Sequence, residues 1–158
     1  MQATAFALAL ALTSAPALAQ TAPPSCADAL HHQFDFWIGQ WDVYAPNGKK
    51  VGESRIEAFG AGCALLEHWS GSGGVTGKSL NMYDASDKQW HQAWVDSSGS
   101  RLLLDGQFSE GKMVLASAGQ KISWSVNPDG SVRQHWQSST DGGKTWSTAF
   151  DGKYVRRP

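Results

Sequence analysis

The stretch Phe34-Asp-Phe-Trp-Ile-Gly-Gln-Trp-Asp-Val43 holds the point at which the chain changes its period. Upstream, Leu30, Phe34 and Trp37 recur at the spacing of a helical turn. Ser25 is positioned as an N-cap, and Asp28 lies in the first turn, where a carboxylate suits the helix dipole. Beyond Gly39 the period is two: Trp41 and Val43 alternate with Asp42 and Tyr44, and alternation continues to the C-terminus. One or two helical turns over 25–37 therefore hand over to the first of many strands.

Ten such runs follow, at 40–46, 49–59, 63–70, 77–84, 89–96, 101–108, 112–118, 120–127, 131–139 and 146–156. Turn residues separate them, as in Pro46-Asn-Gly48, Asn127-Pro-Asp-Gly130 and Thr140-Asp-Gly-Gly143, because tight hairpins demand positive φ. No helical pattern of crossover length separates the runs, which excludes a parallel sheet. As an open sheet, a ten-stranded meander would expose two long unpaired edges, and closing it removes both. The expectation is an all-β, up-and-down antiparallel barrel of about ten strands with a short N-terminal helical plug.

The length of 158 residues fits one domain. Thirteen basic and 14 acidic residues, without any basic run, argue against nucleic acid as a partner. Phe6-Ala-Leu-Ala-Leu-Ala-Leu12 followed by Ala17-Leu-Ala19 reads as a signal peptide over 1–19, although no Lys or Arg lies near Met1. The apolar run is shorter than the roughly 20 residues a spanning helix needs. A Pro-rich arm at 20–25 then leads into a single barrel domain at 26–158, expected to be periplasmic or secreted, with no membrane span. Cys26 and Cys63 are the only cysteines, and an exported chain with two most often pairs them. Neither has a second Cys or a His at ligand spacing, so no metal site is assigned to them. His31 and His32 are adjacent, about 100° apart on a helix, and are read as a solvated face.

Eight Trp in so small a domain point to a core or cavity built from aromatics, and they guide the register. One face carries Cys63, Leu65, Glu67 and Trp69; others carry Trp90, Gln92, Trp94 and Asp96; Leu102, Leu104 and Phe108; Ile122 and Trp124; Val132, Gln134 and Trp136. The candidate ligand-binding residues are therefore Glu67, Trp69, Trp90, Gln92, Trp94, Trp124, Gln134 and Trp136. Buried polar groups cost about 1–3 kcal/mol each unless satisfied, so Glu67, Gln92 and Gln134 either bond to one another and to water or await a ligand. His68, His91 and His135 fall on the opposite face, which weakens a haem or metal site inside the barrel. The favoured reading is a binder of a small hydrophobic or amphipathic molecule, with no resident cofactor. Its rival is a small barrel enzyme in which Glu67, buried among indoles, serves as general acid or base. A haem or nitric-oxide site is the third reading, and a filled barrel acting only through its rim the fourth.

Gly71-Ser-Gly-Gly-Val-Thr-Gly77 precedes Lys78-Ser79 but lacks both the Walker spacing and a following helix, so it reads as a loop at a barrel mouth. No Gly-x-Ser-x-Gly elbow is present. Ser139-Thr-Asp-Gly-Gly-Lys-Thr-Trp146 matches the Asp-box pattern S-x-D-x-G-x-T-W of sialidases and other secreted β-proteins. A single copy in a chain too short for a propeller is taken as a hairpin motif, with Asp141 bonding back to its own backbone over Trp146.

Together with that box, Phe34–Val43, Gly62-Cys-Ala-Leu-Leu-Glu-His-Trp69, Ser79-Leu-Asn-Met-Tyr-Asp84 and Trp90-His-Gln-Ala-Trp-Val-Asp96 resemble a bacterial family of small, exported, lipocalin-like barrels carrying F-D-F-W-I-G-x-W, to which no activity is assigned. The wider resemblance is to the calycins: lipocalins, fatty-acid-binding proteins and haem-binding nitrobindin-like barrels. It implies a barrel whose first-strand Gly-x-Trp is covered by a basic residue near the C-terminus. Arg156 or Arg157 would take that place over Trp41 as a cation–π contact. The haem barrels of that superfamily use a His near the C-terminus, and this chain has none after His135.

Overall fold

The computed structural model describes residues 26–158; the leader at 1–19, the arm at 20–25 and the N-cap assigned to Ser25 lie outside the described residues. The entry segment is tighter than its apolar spacing predicts. Residues 28–34 form successive bends and turns, and only Asp35–Trp37 is a regular element, a 3₁₀ turn. The Asp28 carboxylate accepts the backbone N–H groups of Leu30 (2.9 Å) and His31 (3.2 Å), offering the chain a local alternative to a helix. So short a segment also gains little from helix propagation.

Ten strands follow: β1 (Gly39–Tyr44), β2 (Lys50–Phe59), β3 (Ala64–Gly71), β4 (Thr76–Asp84), β5 (Gln89–Asp96), β6 (Arg101–Ser109), β7 (Lys112–Ser117), β8 (Gln120–Val126), β9 (Val132–Ser138) and β10 (Ser147–Arg156). Each pairs antiparallel with the next, and β10 pairs with β1, so the sheet closes as the edge argument requires. The expected boundaries and the observed ones differ by no more than two residues at any end. No helix among the described residues is long and apolar enough to cross a membrane.

Closure is reinforced where β1 meets β10. Trp41 lies opposite Arg156, whose guanidinium carbon sits 4.4 Å from the centre of the indole and whose Nη2 donates to Ile38 O at 3.1 Å. A side chain at Gly39, where φ is +148°, would overlap that guanidinium. Gly-x-Trp and Arg156 are thus one packed unit. Arg157 instead turns outward to ion-pair with Asp42 (2.7 Å) and Glu53.

An alternating meander puts the turns after β2, β4, β6 and β8 at one end and those after the odd strands at the other. The first end is filled. Phe34 stacks on Trp37 at 5.0 Å and meets Trp124 at 5.2 Å and Trp90 at 5.7 Å, while Trp37 packs against Trp124 at 5.5 Å and Tyr154 at 6.1 Å. The Cys26–Cys63 disulfide, with Cα atoms 5.0 Å apart, ties this plug to the turn between β2 and β3. His31 is part of the plug and does not lie on a solvated face: it is 9% exposed, its Nδ1 is 2.9 Å from Asp28, and its ring meets Tyr83 edge-on at 5.2 Å. Its neighbour His32 is exposed and pairs with Asp35 at 2.7 Å.

The disulfide closes a loop of 37 residues, for which the chain-entropy relation gives about 4 kcal/mol. A Cys26→Ala, Cys63→Ala variant is expected to lose about that much in urea denaturation; a loss under about 1 kcal/mol would show that packing alone holds the plug.

Candidate functional site

Above the plug the barrel holds a cavity of about 210 Å³. Its walls come from residues two or four positions away from the plug residues on the same strands, toward the end carrying the odd-numbered turns. Trp69 of β3, Trp94 of β5, Trp136 of β9 and Phe150 of β10 form the aromatic part, with Leu102 and Ile122 between them. Val75 in the β3–β4 turn and Asp96 at the end of β5 mark the mouth.

Two strand glycines set the indoles in place. A methyl group at Gly52 of β2 would overlap the Trp69 ring, and one at Gly77 of β4 would overlap the Trp94 ring. Each indole therefore lies across the neighbouring strand, as glycine in a strand interior permits. Gly152 likewise makes room for Phe150, whose ring meets Trp69 edge-on at 6.0 Å. Trp94 donates its indole N–H to Asp96 Oδ2 at 3.1 Å. The Ser98 hydroxyl and the Trp94 indole, helped by the backbone N–H groups of Ser98 (2.9 Å) and Ser100 (3.3 Å), hold the Asp96 carboxyl below the usual aspartate range.

Two polar residues of the lining, Glu67 and Gln92, belong to a hydrogen-bonded chain that runs across four adjacent strands. Ser54 of β2 donates to Glu67 Oε1, and Ser79 of β4 donates to Glu67 Oε2, both at 2.9 Å. Asn81 Nδ2 donates to Ser79 Oγ at 2.9 Å, and Gln92 Nε2 of β5 donates to Asn81 Oδ1 at 2.7 Å. On the facing wall Tyr154 donates its hydroxyl to Gln134 Oε1. Glu67, Gln92 and Gln134 therefore each have a hydrogen-bond partner within the protein, and all three line the cavity.

Glu67 is 5% exposed, and burial pushes its carboxyl from the ordinary 4.5 up to about 7 against the opposing pull of the Ser79 and Ser54 hydroxyls. Burial, with the Glu67 charge as a second cause, also raises Tyr154 well above its ordinary value, so the phenol stays protonated.

Of the eight candidate residues, Glu67, Trp69, Gln92, Trp94, Gln134 and Trp136 line the cavity. Trp90 and Trp124 share their inward face but are buried beneath it in the plug, Trp90 donating to Gln33 Oε1 at 3.1 Å. Inward direction does not specify depth: Trp90 and Trp94 are four residues apart, about 13 Å along a strand. Sequence reasoning missed Ser54, Ser79, Asn81, Phe150 and Tyr154. Ser54, Ser79 and Asn81 sit on β2 and β4, runs with no Trp to set their register, and Phe150 and Tyr154 on β10, whose one Trp, Trp146, stands in the turn before the strand; the alternation of Ser79, Asn81 and Tyr83 and the even spacing of Phe150 and Tyr154 from Trp146 are the signals that were available.

None of the five histidines lines the cavity. On the outer face His68 pairs with Glu57 at 3.0 Å, His91 with Asp105 at 2.6 Å, and His135 with Thr148 at 3.0 Å. Asp84, Asp87 and His91 bring potential metal-ligating atoms together at the surface turn between β4 and β5, but both ring nitrogens of His91 already face Asp87 and Asp105. The Asp-box is the hairpin its pattern implies. Asp141 accepts from the N–H groups of Lys144 and Thr145, both at 2.9 Å, and Trp146 donates to Gly143 O at 3.1 Å. The loop at 71–77 joins β3 to β4 at the cavity mouth.

Compared with known protein families and with curated proteins, the chain matches no family and no curated protein. The barrel, its buried aromatic cluster and the cavity are together compatible with binding a small molecule.

The raised Glu67 pKa makes stability depend on pH. Between about pH 4.5 and 7 the folded chain keeps a proton that the unfolded chain has released, so stability falls as pH rises through that window and levels off above it. The interval corresponds to about 3 kcal/mol. Glu67→Gln keeps an acceptor and a donor for the two serines without the charge. Its stability relative to the parent, from urea denaturation, is expected to rise by about 3 kcal/mol from pH 4.5 to pH 8; parallel curves would refute the assignment. Gly77→Ala is expected to cost about 1–3 kcal/mol by overpacking and to alter near-ultraviolet circular dichroism as Trp94 is displaced; an unchanged spectrum counts against the glycine–indole packing.

Proposed function

We propose that this chain is an exported, lipocalin-like binding barrel that takes one compact hydrophobic or amphipathic molecule into the cavity above its aromatic plug. The observation that carries the reading is the cavity itself: three indoles and a phenyl ring surround a few oriented polar groups, the composition small-molecule sites usually show. Trp69, Trp94 and Trp136 supply stacking surface, and Glu67, Gln92 and Gln134 supply orientation. Trp90 and Trp124 act from below as rigid support. At about 210 Å³ the space is smaller than the ~300–1,000 Å³ of typical ligand pockets, which favours a molecule of one or two rings over a long acyl chain or a haem.

The F-D-F-W-I-G-x-W resemblance supports placing the chain among the bacterial exported lipocalin-like barrels. The disulfide supports a periplasmic or secreted location, since such bonds persist in oxidising compartments. The Ala-rich leader supports export in the same sense.

One observation favours a second reading, catalysis. A carboxyl pushed up to about 7 is poised near neutral pH as a general acid or base, and the Tyr154 hydroxyl lies on the same cavity wall system.

Titration with a panel of lipids, quinones, sterols, small aromatics and saccharides is expected to shift or quench indole emission for at least one class, because three indoles line the cavity. Native mass spectrometry of protein from its own compartment is expected to show a retained molecule. If emission is indifferent to the whole panel and the protein is empty, the binding reading fails. Conversion of a bound compound that stops in Glu67→Gln while binding persists would move the assignment to catalysis.

A further inference from the structure

We infer that the cavity selects a small aromatic amine in its ammonium form over neutral or anionic molecules of the same shape. The inference rests on the binding reading above and deepens it by naming the ligand class.

The charge inventory of the lining points one way. Two carboxylates, Glu67 and Asp96, line the cavity, and no Lys, Arg or His does. The cations next in sequence to lining residues, Arg101, Lys121, Arg133 and Lys153, occupy the outward positions that alternate with Leu102, Ile122, Gln134 and Tyr154, and the last three are engaged outside by Trp146, Asp151 and Asp129. Low-dielectric walls focus the field of such one-signed groups into the space between them. An anion entering would meet two carboxylates and no counter-charge.

The walls suit a cation equally well. Trp69, Trp94, Trp136 and Phe150 present π-systems to one space, and organic cations are held by such aromatic enclosures. The aromatic part of the same ligand would stack on the remaining ring surface.

Glu67 is the anchor. Its carboxylate offers about four lone-pair positions, of which Ser54 and Ser79 fill two. Two acceptor positions remain for an ammonium. The groups facing it from the packed elements are the Ser54 hydroxyl on β2, the Ser79 hydroxyl on β4 and the protonated Tyr154 phenol on β10, with Asp96 at the mouth. None of these is cationic, so a ligand ammonium would be the only positive charge available to an ionised Glu67 in the cavity. At the mouth, Asp96 stays ionised and draws cations toward the opening.

The test uses 2-phenylethylamine, 2-phenylethanol and phenylacetate, which share one ring and a two-carbon arm and differ in charge. Binding is followed by indole emission and calorimetry at pH 8 and pH 5. At pH 8 the amine is expected to bind about tenfold or more tighter than the alcohol, and phenylacetate more weakly than either. At pH 5, where Glu67 holds its proton, the preference is expected to shrink several-fold. Glu67→Gln is expected to bring the amine down to the affinity of the alcohol. Should that variant lose its fold, Asp96→Asn at the rim is expected to reduce the amine preference about two- to threefold. Equal affinity for amine and alcohol, tighter binding of phenylacetate, or a preference that survives both substitutions overturns the assignment. If none of the three binds, the ammonium assignment also falls, while a response to other compounds in the wider panel would leave the binding reading standing.

Discussion

The pairing of β1 with β10 is the constraint on which the other features depend. It turns a meander with two unpaired edges into a closed wall, and a closed wall has an inside. A short first strand makes only a limited number of ladder hydrogen bonds, so the junction needs side-chain reinforcement. Arg156 supplies it by lying over Trp41 and reaching the carbonyl of Ile38. The Trp41 indole in turn donates to the carbonyl of Trp37, 2.9 Å away. Strand, plug and last strand are therefore held at one place, and Gly39 is there because any side chain would occupy the guanidinium's space.

From that junction the interior divides by height. The lower part is solid aromatic packing around Phe34, whose rings meet at the tilted and edge-on angles that aromatic quadrupoles favour. The upper part cannot be filled the same way. Its large side chains, Trp69 and Trp94, lie against the walls over Gly52 and Gly77 and do not point across the lumen. A cavity follows from that orientation. The filled-barrel reading, in which only the rim would act, does not describe this interior.

Placing Glu67 in that upper space works against stability. At neutral pH its burial is unfavourable, and two serine hydroxyls offset the cost only in part. A Gln at the same position would keep the serine partners without a charge. A destabilising carboxyl held by two oriented donors, in a space with no cation, is the kind of local conflict expected where a site serves binding or chemistry.

The period change at Gly39, the ten alternating runs and their Gly- and Asn-rich turns determined by themselves the fold class, the antiparallel order and the strand limits, because hairpin geometry and face alternation are local properties. The presence of just two cysteines, Cys26 and Cys63, likewise pointed to their pairing. The tertiary structure decided three things that no local pattern contains. It decided depth: Trp90 and Trp94 read alike on one strand, yet one is plug and the other cavity wall, because only the position of Phe34 and Trp37 says where the solid floor ends. It decided the register of β2 and β4, which lack a Trp, and with it the places of Ser54, Ser79 and Asn81. It decided the state of His31, whose burial depends on Tyr83, some fifty residues away in the chain. Strand pattern is set by neighbours along the backbone; the height, partners and charge environment of a side chain are set by strands that meet only when the sheet closes.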